Sequence, residues 1–308
     1  MRDCVVVIPS LRGGPALTAL VAGLVADAEV VVADNGMSPA ARAAAGAAGA
    51  RVLELGANVG FATAVNRAAA ADRGDALVVL NDDIAPEPGF LAALVARLED
   101  AEMASGVLLK AEQPSLIDTA GIVIDRCLGA YDHLQDLPLT ALGGARAPFG
   151  PGGGAAAFRR EAFERVGGYD PGFFAYFEDV DLAIRLRLAG ARCALATDAR
   201  AVHVGSATLG YGSVQKAVLV GASRGRIVRK YGLLRHPSSA AWVLATEALT
   251  SAELLRRHRS LRPLRARVAG FAACRERAPR PPAEVATVAL RDGVSRRLRR
   301  SRRVTVAP

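Results

Sequence analysis

The chain has four cysteines, Cys4, Cys127, Cys193 and Cys274, and no two stand in a CxxC pair or any compact spacing. That scatter excludes a metal knuckle and a disulfide framework, and reduced thiols in cytoplasm are the expectation. Nowhere do about 18 to 20 apolar residues run without a charge, so no spanning helix is expected and membrane contact would be peripheral. The opening "MRDCVVVIPS" has an apolar run too short for a signal-peptide core, and an acid accompanies it, which argues against secretion. No Gly-Lys-Ser/Thr follows "GPGGG", so it is not a Walker loop. "GANVG" lacks the full dinucleotide fingerprint, which leaves a nicotinamide enzyme without support.

Acids are scarce towards the end of the chain. Residues 224–308 hold 21 Lys plus Arg against 5 Asp plus Glu, whereas residues 1–223 hold 18 against 25, so the net charge of +9 resides in the tail. Such a tail suits an anionic partner, either phospholipid headgroups or nucleic acid. A solvated, Arg-rich helical face explains it equally well. Few aromatics accompany the arginines, which counts against single-strand binding and makes nucleic acid the disfavoured partner. The apolar and Arg-rich mixture of "SSAAWVLATEALTSAELLRRHRSLRPLRARVAGF" suits an interfacial segment, and "SRRLRRSRR" ends the chain.

What is present is a regular alternation. At 308 residues the chain can form one large α/β domain with an appendage, or two modest domains. "CVVVIPS", "EVVVADNG", "RVLEL" and "DALVVLNDD" read as strands, and helical spacing follows each, as in Leu17, Leu20, Val21 and Leu24. The pattern predicts a largely parallel sheet flanked by helices, with ligands at the carboxyl ends of the strands. Three of those ends are polar: Pro9-Ser10, Asp34-Asn35 and Asn81-Asp82-Asp83. Further on, "GIVID" is strand-like, "GPGGGAAAFRREAFERVGGYD" gives a glycine turn, a strand and a short helix, residues 178–190 are helical, and "CALATDARAVHVG" closes the region as strand and loop.

Two acids at the end of a buried strand can hold a divalent cation whose other positions go to phosphate oxygens and water. The same residues would also make an ordinary turn. In "FFAYFEDVDLAIRLRLAG", Glu178, Asp179 and Asp181 crowd the start of a helix. One acid there satisfies the helix dipole, worth about 0.3–1 kcal/mol, but three repel one another. A carboxylate walled by Phe173, Phe174, Tyr176 and Phe177 would have its pKa raised by desolvation, which favours a general base. His203 could complete a metal site begun by strand-end acids, although a lone histidine is more often structural.

Taken in order, "VVVIPS", "VVADNG", "GANVGFATAVN", "VVLNDD", "GPGGGAAAFRREAFERVGGYD", "FFAYFEDVDLAIRLR" and "VHVGS" resemble glycosyltransferase family 2, and within it the bacterial rhamnosyltransferase-like branch, over roughly residues 3–206. The resemblance implies a GT-A fold: a nucleotide-binding, Rossmann-like α/β sheet in a catalytic domain at 1–206, followed by a basic, mainly helical region at 207–308. It also implies an inverting hexosyl transfer from a nucleotide-diphosphate sugar to a saccharide or lipid-linked saccharide, with a divalent cation, Mn2+ or Mg2+. Asp34 matches the acid that contacts the base, and Asn58 with Gly60 the loop beside the nucleotide. Pro9 and Gly153 fall on the strand end and glycine turn that border the donor. Asn81-Asp82-Asp83 stands in the place of an Asp-x-Asp motif, with Asn first, leaving Asp83 to meet the metal. Asp179 matches the catalytic base, Glu178 an acceptor contact, and His203 a histidine that completes the metal shell in some members. Arg185 fits the arginine after the acidic pair, where it could oppose the rise in the base's pKa. Asp181 is expected to anchor the helix start or pair locally.

A cytoplasmic enzyme, peripheral on the inner membrane face where a lipid-linked acceptor is presented, is the resulting expectation. A sugar nucleotidyltransferase would keep the fold and change the reaction. It needs a glycine-rich basic loop after the first strand, and "SLRGGPALT", with one Arg, is the nearest candidate.

Overall fold

The computed structural model describes residues 3–203, 213–235, 237–282 and 287–289, so "SRRLRRSRR" lies outside the described residues. The chain forms two compact units. One comprises Met1–Ile122, Asp132–Pro171 and Asp179–Thr208; the other comprises Val123–Tyr131, Gly172–Glu178 and Leu209–Pro308. The second unit therefore includes two short segments that precede residue 206.

The first unit begins with β1 (Cys4–Ser10), α1 (Pro15–Leu24), β2 (Glu29–Asp34), α2 (Pro39–Ala47), β3 (Arg51–Glu54), α3 (Phe61–Ala70) and β4 (Ala76–Leu80). It continues through β5 (Ile84–Pro86), α4 (Phe90–Ala96), β6 (Met103–Lys110) and β7 (Gln113–Thr119). After a ribbon of β8 (Ile122–Ile124) and β9 (Ala130–Asp132), of which Val123–Tyr131 belongs to the second unit, the first unit resumes with β10 (Ala155–Arg159), α5 (Arg160–Arg165), α6 (Glu178–Leu188, from Asp179 on) and β11 (Cys193–His203).

Among the described residues the main sheet runs β3-β2-β1-β4-β10-β6-β11-β5, with β7 paired to β6. From β3 to β4 every pairing is parallel, as the alternation predicts. Beyond β4 the sheet is mixed: β10 enters antiparallel to both β4 and β6, and β5 pairs antiparallel with β11. Antiparallel neighbours need no crossover helix, so the alternation of the first hundred residues could not foretell them.

The central strands are buried on both faces, and for that reason β1 and β4 read as unbroken apolar runs rather than alternating ones. Val6, Ile8, Val32, Val78 and Leu80 meet Leu17, Leu20, Val21 and Leu24 of α1 and Phe90, Leu91 and Leu94 of α4 in one core. Each such side chain contributes about 1.5–3 kcal/mol by leaving water. β3, at the edge, keeps Arg51 and Glu54 exposed. α2 starts where the Ser38 hydroxyl accepts from the Ala41 amide and Pro39 opens the helix.

In the second unit lie α7 (Val214–Lys230), α8 (Pro237–His258) and α9 (Arg262–Ala273). α7 and α9 approach backbone to backbone through glycine: a Cβ on Gly225 would lie 2.0 Å from the Arg267 carbonyl oxygen, and one on Gly270 would lie 2.0 Å from that of Ala222. Buried Arg224 ties the unit together, reaching Glu247 of α8 at 2.7 Å and the carbonyls of Leu128 and Cys127 at 2.6 and 2.8 Å. Glu247 is also 2.7 Å from Arg267 of α9. All four cysteines are buried and none is bonded to another. No described helix is long and apolar enough to cross a membrane.

Candidate active site

The polar strand ends lie where the parallel half of the sheet finishes. Ser10, the last residue of β1, is buried and donates its hydroxyl to Asp82 at 2.5 Å while accepting from the Gly13 amide at 3.0 Å. Burial pushes the Asp82 carboxyl up; the Ser10 hydrogen bond works against that, and the adjacent Asp83 charge adds to it. Pro9 pairs in register with Ala33, one residue before the strand end.

Asp34, expected to contact the nucleotide base, ends β2. Its carboxylate is buried, accepts from the amides of Gly36 and Met37 at 3.0 and 2.6 Å, and lies 2.7 Å from Arg42 Nε. Asn35 next to it accepts from the Val59 amide at 2.7 Å, which links this turn to the loop before α3. In that loop Asn58 accepts from the Gly60 amide at 3.1 Å, and Gly60 stands at φ 84°, a left-handed backbone that favours glycine, as it opens α3.

β10 brings the glycine turn to the end of β4. The Asn81 amide donates to the Gly154 carbonyl at 3.2 Å, and a Cβ on Gly154 would sit 3.2 Å from the Asn81 side-chain nitrogen. A Cβ on Gly150 would be 2.4 Å from that of Ala183, so the turn needs glycine for α6 to pack there. At the start of α6 the Asp179 carboxylate accepts from the Val180 amide at 2.8 Å and from the Gly153 amide at 3.3 Å. Burial nevertheless raises its pKa above the ordinary carboxylate value, outweighing those donors.

The neighbouring acids divide as expected for one of them. Asp181 is buried and pairs with Arg185 Nε at 2.8 Å, while Arg185 Nη1 also donates to the Val166 carbonyl. Arg185 is thus engaged locally. Glu178 is buried, and its charge joins burial in raising the Tyr176 phenol. The aromatic run is less of a wall than expected, since Phe174 is 45% exposed, Phe173 faces Arg226 and Lys230, and Tyr176 faces Lys216. Tyr176 and Phe177 both stand at φ 66°, a strained backbone for non-glycine residues, directly before the acids.

His203 ends β11 opposite Ile84 of β5, and that register places its ring beside Asp83. Nε2 is 3.3 Å from Asp83, and Nδ1 is 2.8 Å from Asp118 on β7. Burial alone would depress this histidine, but hydrogen bonds and charge from Asp118 and Asp83 prevail, and its pKa is pushed up to about 9. Sequence reasoning reached Asp83 and His203 and missed Asp118. "SLIDTA" carries no signal that would have marked it; only the pairing of β7 with β6, and of β6 with β11, brings it there.

With this geometry in view, known proteins agree on its kind. The family model described as Glycosyl transferase family 2 matches residues 5–167. An N-acetylglucosaminyl-diphospho-decaprenol L-rhamnosyltransferase from Mycobacterium tuberculosis is 30% identical over 241 residues, covering 64% of this chain and 75% of the relative. Among solved structures, GalNAc-T7 with UDP, GalNAc and Mn2+ superposes with a TM-score of 0.57 at 15% identity, over 82% of this chain and 52% of that one. This chain thus spans about half of that protein. The mannosyltransferase PcManGT from Pyrobaculum calidifontis, in complex with GDP-Man and Mn2+, gives 0.50 at 18% identity over 88% and 74% of the two chains. These structural likenesses bear on the fold, which is that of GT-A glycosyltransferases.

Proposed function

The chain belongs to glycosyltransferase family 2, and from that premise we propose an inverting enzyme that moves a sugar from a nucleotide-diphosphate donor to a lipid-linked saccharide acceptor. Rhamnose is the first sugar to test and a polyprenyl-diphosphate-linked N-acetylglucosamine the first acceptor, because both stand in the name of the 30% identical relative. The chemistry is assigned to residues 1–206 and the membrane contact to 207–308, on the cytoplasmic face.

The observation that carries this reading is Asp179: a buried carboxyl with a raised pKa, fixed by two backbone amides at a glycine turn. It takes the proton from the acceptor hydroxyl as that oxygen bonds to the anomeric carbon and the bond from that carbon to the diphosphate breaks. Glu178, one residue earlier, binds the acceptor. Asp82, Asn81 and the Gly153 turn border the donor with Pro9, while Asp34 and the Asn58–Gly60 loop shape it from the next strand end.

Asp83 and His203 would hold a divalent cation, Mn2+ or Mg2+. Their donor set fits: a carboxylate oxygen and an imidazole whose other nitrogen is anchored by a carboxylate, as metal-ligating histidines are. With two protein ligands, such a cation would take its remaining positions from phosphate oxygens and water. When bound, such a cation neutralises charge on the departing diphosphate.

A thermal-shift panel of nucleotide diphosphates and nucleotide sugars, each with and without Mn2+ or Mg2+, tests the reading. One nucleotide should raise the melting temperature in a cation-dependent way. No shift with any nucleotide, in folded protein, would overturn it.

A further inference from the structure

Helix α8 buries Val243 on its inner side and carries large apolar side chains on its outer side as well. Two of its polar side chains turn inward: Thr246 is buried, its hydroxyl donating to the Val243 carbonyl at 2.9 Å, and Glu247 is shared by Arg224 and Arg267. Its outward face carries Trp242, Leu244, Leu249 and Leu255, all exposed, with Trp242 at 51% and Leu244 at 57%, and alanines between them. Four turns of helix thus present an apolar stripe to solvent with no charge on it before Arg256. A stripe of that length on a globular surface marks an interaction site.

Beyond Leu255 the character changes. Leu261, Leu264 and Val268 of the turn and α9 are exposed, the last at 62%, and they alternate with exposed Arg256, Arg259, Arg262 and Arg265. An apolar hollow of about 150 Å³ lies between Leu255, Leu261 and Leu264. At the other end of the stripe Arg126 lies 5.3 Å from the Trp242 ring. From Ala241 to Val268 the acids are Glu247 and Glu253, the first ion-paired inward and the second 2.9 Å from Arg256.

We propose that the outer face of α8 and the α8–α9 turn dock on an anionic lipid bilayer, with the leucines and Trp242 at the acyl boundary and the arginines at the lipid phosphates. The helix lies in the interface, being too polar on its inner side to span. Charge selects this occupant. A second copy would bring arginines to a face whose one partly exposed carboxylate, Glu253, is already paired with Arg256, and a nucleic acid would leave the interleaved leucines without a partner. The proposal deepens the reading of a lipid-linked acceptor and rests on it for its purpose, because such an acceptor is confined to a membrane.

Trp242 is the chain's single tryptophan, so selectively excited tryptophan emission reports on this face alone. Full-length protein is titrated with phosphatidylcholine vesicles, with and without phosphatidylglycerol. A blue shift and co-sedimentation are expected with phosphatidylglycerol only. The triple variant L249Q/L255Q/L264Q, which changes only exposed positions, should lose about tenfold or more in vesicle partition with its circular dichroism unchanged.

Absence of the blue shift, undiminished partition of the variant, or a wild-type dimer that the variant dissociates would each overturn the proposal; the last would make the face a self-interface. Salt-sensitive RNA binding without vesicle binding would overturn it too. The same samples are run with the nucleotide panel. Vesicle binding without any nucleotide shift keeps this surface and removes the transferase reading, and the reverse result does the opposite.

Discussion

At His203 two carboxylates outweigh burial, so the folded protein favours the imidazolium. Its folded pKa of about 9 lies above the ordinary 6.5; its ion pairs therefore contribute fully below about pH 6.5 and are lost as pH rises through about 9. In chelator, stability should fall over that window by as much as about 3 kcal/mol, and H203Q should fall less, as read by urea denaturation at successive pH values. Asp118 acts through His203, so D118N should lower Mn2+ affinity by about 10–100-fold in calorimetric titration while the fold persists. Asp83, Asp179 and His203 could be named from residue type and order alone. Asp118 could not, because 85 residues separate it from His203 and only strand register joins them. Asp34 is legible as a strand-end acid, but the turn amides and Arg42 that hold it are a matter of folded geometry.

Among the elements, glycine decides how closely pieces approach. In α7, Gly225 leaves no room for a side chain against the Arg267 carbonyl, so G225A should cost about 1–3 kcal/mol or more, measured by chemical denaturation. Ser213, whose hydroxyl accepts from the Lys216 amide, caps the same helix, and S213A should cost about 1 kcal/mol. The β-branched strands and the 3.6-residue spacing of α1 and α4 were plain in the sequence because both record burial directly. The order of strands beyond β4 was not, since β10 reaches its place through a long connection whose residues carry no periodic pattern. The apolar outer face of α8 is legible in the sequence only as a mixture of apolar and basic residues; which side faces inward also depends on Arg224 and Arg267 drawing Glu247 to the interior.

Over the whole molecule, acids and bases are partitioned: carboxylates gather before residue 224, where the strand ends are, and arginines after it. That division matches two tasks, a cation-assisted transfer and attachment to an anionic surface. If so, raising ionic strength should weaken vesicle binding far more than nucleotide binding, because exposed charges are screened and buried ones are not. Central to the account is Asp179 as the base, and its raised pKa predicts that turnover declines as pH falls through a value above the ordinary carboxylate range. The direct measurement compares wild type with D179N for donor binding and for sugar transfer to a polyprenyl-diphosphate acceptor. The account predicts unchanged donor affinity and transfer lowered by about 10²–10⁴-fold; transfer within a few-fold of wild type would contradict it.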